Sequence, residues 1–89
     1  MQIEVTQLFE EQLRAILEEL LAIDVKLAKD FKLYLETIII NMPTKAKKYK
    51  KSIYFDDENI KDIEFQNYTI VFRVDGQNYK VLGIFKKLN

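Results

Sequence analysis

The stretch over residues 67–89 reads NYTIVFRVDGQNYKVLGIFKKLN and restricts the fold more than any other part of the chain. Two runs rich in β-branched and aromatic residues, 68–74 and 79–85, flank Asp75-Gly76. Strand side chains alternate, so Tyr68, Ile70, Phe72 and Val74 share one face of the first run. In the second run the same alternation sets Leu82 and Ile84 against Tyr79, Val81 and Phe85. Both faces of that run need cover, which predicts a central strand with helices on one side. Asp-Gly between two such runs signals a hairpin, because Gly76 accepts a positive φ without steric penalty.

Upstream, residues 2–6 alternate with Ile3 and Val5 on one face, the pattern of a short strand. Thr6 is placed to cap a helix, its hydroxyl accepting from a first-turn N–H. Phe9, Leu13, Ile16, Leu17 and Leu20 then recur at helical spacing, while Glu10, Glu11, Arg14, Glu18 and Glu19 take the other faces. Core packing accounts for that stripe. Asp24 can cap a second helix, which leaves almost no connection and predicts an antiparallel helical hairpin. In the second helix Leu27, Phe31, Leu35, Ile38 and Met42 form the apolar stripe, widened by Ala28 and Ile39. Pro43 predicts its end, since proline disfavours the α region for the residue before it. Ile40 lies off the stripe, either covered by a deeply buried last turn or left for a partner. Residues 60–66 resume alternation, with Ile63 and Phe65 opposite Asp62 and Glu64, and Asn67 turns the chain into the main hairpin.

The expected architecture is therefore α+β, in the order β-α-α-β-β-β. A two-helix hairpin packs on one face of a four-stranded, mainly antiparallel sheet. Eighty-nine residues suffice for one such domain, spanning 1–89.

The inventory of side chains excludes whole classes of chemistry. With no cysteine and no histidine, the chain has no disulfide, no thiolate nucleophile, no conventional zinc site and no imidazole acid–base pair. Neither a metal site nor a cofactor is expected. No apolar run approaches the ~20 residues of a membrane span, and the N-terminal residues lack a signal pattern. The cytoplasm is the expected compartment, with no membrane partner. The formal net charge is zero, but residues 1–44 carry four basic and eight acidic side chains, and residues 45–89 carry ten and six. Local fields of that kind guide partners more than the total does.

Most of the basic excess begins in one run, Lys45, Lys47, Lys48, Lys50 and Lys51, interleaved with Tyr49 and followed by Tyr54 and Phe55. Residues 44–59 otherwise read as one long irregular stretch. The lysines can track a nucleic-acid backbone with the tyrosines stacked on bases. They can equally anchor an acidic protein arm, or form a solvated loop. Lys87 is a further candidate contact, although lysines at a sheet edge also discourage edge pairing.

With that element order, the chain resembles the RelE/ParE superfamily of bacterial type II toxins. The resemblance rests on Phe9-Glu10-Glu11-Gln12-Leu13 opening the first helix and on the helical pair ending at Pro43. It rests most on the run from Asn67 to Gly76 followed by Val81-Leu82-Gly83-Ile84-Phe85-Lys86-Lys87. It implies a cognate antitoxin as partner and one of two activities. RelE-like members cleave messenger RNA on the ribosome, whereas ParE-like members poison DNA gyrase without cutting RNA.

The RelE-like site requires cations to neutralise the phosphorane, with a general base and acid nearby. Its arginine after the third-strand tyrosine falls at Thr69 here, its second-strand lysines near Ile60 and Asp62, and its C-terminal histidine at Lys86. These departures favour the ParE-like branch. Were the chain a ribonuclease, Arg73 and Lys86 would be the catalytic groups left to it.

Overall fold

The structure, a computed structural model, describes residues 2–87. Strand β1 (Gln2–Val5) leads into α1 (Gln7–Ile23) and α2 (Val25–Lys45), followed by a short 3-10 turn (Ala46–Lys48). Strands β2 (Ile60–Phe65), β3 (Tyr68–Asp75) and β4 (Asn78–Lys86) complete the fold. The sheet order is β1-β4-β3-β2. Both β2–β3 and β3–β4 are antiparallel, and β1 joins β4 in parallel, with Gln2 beside Asn78 and Val5 beside Val81. Parallel pairing needs a crossover, which the helical hairpin supplies. β4 is interior, as its two apolar faces require.

Local chemistry sets the helix boundaries. The Thr6 hydroxyl oxygen accepts from the Phe9 N–H at 3.0 Å, and Asp24 Oδ1 accepts from the Lys26 N–H at 3.0 Å. Asp24 alone separates the helices, and its extended backbone makes the reversal. The β3–β4 loop is Gly76-Gln77, with Gly76 at φ 61°, as a tight hairpin turn demands. The β2–β3 turn instead places Gln66 at φ 53°, a conformation that Asn or Gly would adopt at less cost.

The core lies between helices and sheet. Phe31, Leu35 and Met42 of α2 meet Ile63, Phe65, Tyr68, Ile70 and Phe72, with Leu13, Leu17 and Leu20 packed around them. Phe31 packs tilted against Phe65 and edge-on against Tyr68, at 5.1 and 5.3 Å between ring centroids. No described helix is long and apolar enough to cross a membrane.

Three expectations are corrected. Pro43 does not end α2, which runs to Lys45 and continues into the 3-10 turn. A proline here removes only a hydrogen bond near the helix end, and Met42 and Ala46 on either side of it are buried. Their burial holds the chain helical through it. Leu27 belongs to the helical stripe by spacing but is exposed, beside Tyr34 and the β2–β3 turn. The third correction concerns β4, whose pairing with β3 shifts between Val71 and Phe72: Phe72 pairs with Val81, but Val71 pairs with Gly83. Leu82 is the extra residue of a bulge. Val81 and Ile84 therefore both reach the core, where strict alternation had opposed them. Ile40 is exposed at 69%, so the last turn of α2 does not cover it.

Leu35, with no accessible surface, sits at the centre of the helix–sheet interface. Leu35→Ala should destabilise the chain by ~2–5 kcal/mol in denaturant unfolding. A change under ~1 kcal/mol would show that the interface closes over the lost side chain.

Candidate functional site

The long segment after the 3-10 turn is not a free loop. It starts on the helix side of the sheet, where the Tyr49 ring meets Phe72 edge-on at 5.8 Å. It then runs along the outer edge of β2. Ser52 N–H donates to the Ile60 carbonyl at 2.8 Å, Asp62 N–H donates to the Lys50 carbonyl at 3.3 Å, and Lys51 bridges Lys61. Beyond that edge it crosses onto the opposite face. There Tyr54 packs edge-on against Phe85 at 5.0 Å, and the chain rejoins the sheet where Val74 N–H donates to the Asn59 carbonyl at 2.8 Å, one residue beyond the Ile60–Arg73 pair. The result is a strap around one edge of the sheet. It is why Thr69 and Val71, on the face away from the helices, are as buried as the core.

An ion pair pins the far end of the strap. Arg73 Nη1 lies 2.6 Å from Asp57 Oδ2. The Asp57 carboxyl is held below its ordinary range, first by the Asn59 N–H, which donates to Oδ1 at 2.8 Å, and next by the Arg73 guanidinium. Sequence reading missed Asp57 because its partner lies sixteen residues away on a different element. It also missed Lys61, whose ammonium donates to the Ala46 carbonyl at 2.8 Å and ties the 3-10 turn to β2.

The candidate lysines divide along this path. Lys45 ends α2, and Lys47 and Lys48 project from the 3-10 turn into solvent. Lys50 and Lys51 follow the β2 edge, with Lys51 3.0 Å from Asp56. Lys48, Lys50 and Lys51 share an open cleft of about 390 Å³ with Asp62 and Glu64. Asp62 accepts from the Ile53 N–H at 3.0 Å through one oxygen, while its other oxygen is buried without a partner. Those carboxylates offset part of the lysine charge in the cleft. Tyr49 and Tyr54 are half-buried, and each is held edge-on against a ring of the sheet, Phe72 and Phe85 respectively. Lys87 lies 3.6 Å from Glu64, with its N–H donating to the Asn67 carbonyl.

Arg73 and Lys86 are not brought together. Lys86 pairs in register with Tyr68, a core residue, and its ammonium lies 4.0 Å from Glu19 of α1. Arg73 is five residues further along β3, on the opposite face, against the strap. Five strand residues span about 17 Å, and the sheet itself lies between the two cations. Thr69 and Ile60, where ribonuclease cations would stand, are buried. Arg73 and Lys86 cannot converge on one phosphate in this arrangement.

The model of the family described as "ParE toxin of type II toxin-antitoxin system, parDE" matches residues 3–87. The chain belongs to this family. Among solved structures it is similar to a chain of the chromosomal ParDE TA system from P. aeruginosa, with a TM-score of 0.76 at 16% sequence identity. That likeness, of fold alone, covers 99% of this chain and 97% of the other. No curated protein matches the chain. The ParE family match agrees with the branch favoured by Thr69, Ile60 and Asp62, and it spans the strap as well as the helices and sheet.

The Asp57–Arg73 pair makes the strap sensitive to acid. A carboxyl lowered in the folded state stabilises the fold above its ordinary range, and that contribution is lost as pH falls through the folded value. Amide protection factors over residues 50–58 should therefore fall selectively on acidification. Asp57→Asn should show the lowered protection already at neutral pH. Equal strap protection in both proteins, at both pH values, would mean that the pair does not hold it.

Proposed function

We propose that this chain is a ParE-like toxin that binds and poisons DNA gyrase, acts in the cytoplasm, and is neutralised by a cognate antitoxin. The carrying observation is the separation of Arg73 from Lys86, with Thr69 and Ile60 buried. A metal-free ribonuclease depends on pre-placed donors, each worth ~3–4 kcal/mol of transition-state stabilisation. Here Arg73 is paired with Asp57 on one face and Lys86 stands beside Glu19 on the other. Binding a large target needs no such convergence. It needs a rigid surface, and the strapped sheet under its helical pair supplies one.

The antitoxin contact is drawn to the lysine run. Lys45, Lys47, Lys48 and Lys50 are exposed and have no ion-pair partner among the described residues. An acidic arm laid along the β2 edge would gain both affinity and association rate from them. Lys87 extends the same basic border.

Purified protein should inhibit gyrase supercoiling and leave mRNA on programmed ribosomes uncut. Codon-dependent cleavage by the unmodified chain would replace this reading with the ribonuclease one, and Arg73→Ala and Lys86→Ala would then each abolish cutting. For the partner, replacing Lys47, Lys48, Lys50 and Lys51 by Ser should weaken the antitoxin complex and flatten its salt dependence. Unchanged affinity would assign the lysines elsewhere.

A further inference from the structure

A cavity of about 400 Å³ opens where the helical pair meets the β2–β3 turn. Three residues there depart from what folding alone would select. Leu27 lies on the apolar stripe of α2 yet is 42% exposed, and Tyr34, seven residues on, is 58% exposed. Gln66 holds a φ of 53°, which Asn or Gly would adopt at less cost. Residues that are strained or left uncovered in this way collect at binding sites. All three line the same cavity, together with Leu20 and the core residue Tyr68. Leu27 and Tyr34 stand two helical turns apart, with Asp30 between them on the same side of α2.

The charge of the cavity is one-sided. The chain carries fourteen lysines and arginines, and none of them lines it, whereas Asp30 does. Asp30 has no ion-pair partner among the described residues. The cleft along the β2 edge, by contrast, holds three lysines. Beside Asp30 stand uncharged polar groups, the Tyr34 hydroxyl and the amides of Gln66 and Asn67, each with an oxygen that can accept a hydrogen bond. An apolar floor, phenol rings, several acceptors and one carboxylate suit a flat cation with many donors. A guanidinium is that group: planar, weakly hydrated, able to stack on aromatic faces, and carrying five N–H donors. An ammonium is compact and strongly hydrated. An anion would meet Asp30 with no cation to offset it, and an apolar side chain would strip water from the carboxylate and return nothing.

We infer that this cavity receives an arginine side chain presented by a partner protein. The guanidinium pairs with Asp30 and takes the neighbouring acceptors, while the aliphatic stem covers Leu20 and Leu27. The volume is near the low end for ligand sites, room for one long side chain. The cavity lies at the opposite end of α2 from the lysine run, and the inference does not rest on the identity of the toxin's target.

The probe is N-acetyl-arginine-N-methylamide, an arginine capped as it would be within a chain, titrated to about 20 mM into isotope-labelled protein. Saturable amide shifts should appear at Leu27, Asp30, Tyr34, Gln66 and Asn67, with a Kd of about 1–10 mM. The citrulline analogue, of the same shape without the charge, should bind about tenfold more weakly, and Asp30→Asn should weaken arginine binding by about as much. Asp30 is exposed, so the variant keeps its fold. Absence of shifts at the cavity, an equal response to citrulline, or unchanged binding by Asp30→Asn would each overturn the inference. So would shifts spread alike over other exposed acids such as Glu18 and Glu36.

Discussion

The fold depends on the grip of α1 on the backbone of β4. At the bulge, the Thr6 hydroxyl donates to the Leu82 carbonyl at 2.8 Å, and Thr6 N–H donates to the Val81 carbonyl at 3.0 Å. Further along, Ile84 N–H donates to Gln12 Oε1 at 2.8 Å. A bulge interrupts the regular ladder of backbone pairs in a strand, and buried backbone groups without partners cost as much as lost hydrogen bonds. The side chains of the helix cap Thr6 and of Gln12 in α1 supply partners in this region. Gly83 lets Gln12 do so, since a Cβ there would stand 2.9 Å from Gln12 Oε1. Thr6 thus serves twice, capping its own helix and docking that helix on the sheet.

Much of this was legible because it is local. The caps at Thr6 and Asp24, the stripe Phe9–Leu13–Ile16–Leu20 and the Asp75-Gly76 turn are each fixed by residues within a few positions of one another. What could not be read is set across the fold. The bulge at Leu82 needs β3 to define the register, and it inverted the expected face of every β4 residue on one side of it. Pro43 by its local preference should end the helix and does not, because Met42 and Ala46 decide the outcome through burial. Leu27 obeys the helical period yet finds no neighbour to bury it.

The site divides in the same way. Composition exposed the lysine run and the absence of imidazole and thiol groups, and alternation placed Asp62 opposite Ile63. The strap was invisible, since its anchors Asp57, Tyr54 and Asn59 look like ordinary loop residues until Arg73, Phe85 and Val74 are placed beside them. Tyr49 and Tyr54 illustrate the limit: an aromatic among lysines reads as a base-stacking group, and its contact with Phe72 or Phe85 is seen only once the sheet is assembled.

The contacts that lock β1 and α1 onto β4 span 72 and 76 residues of chain, and this has a consequence for synthesis. While the ribosome is still making the strap and β3, β1 has no neighbour to pair with and Thr6 and Gln12 have no bulge to hold. The helical hairpin can form early from its own caps and stripe, but its apolar face stays uncovered until the β-meander emerges and folds back. Such long loops are slow to close. A growing chain therefore carries a half-built fold up to the moment β4 is released, and interrupted translation yields a fragment without the strand on which β1 and α1 dock.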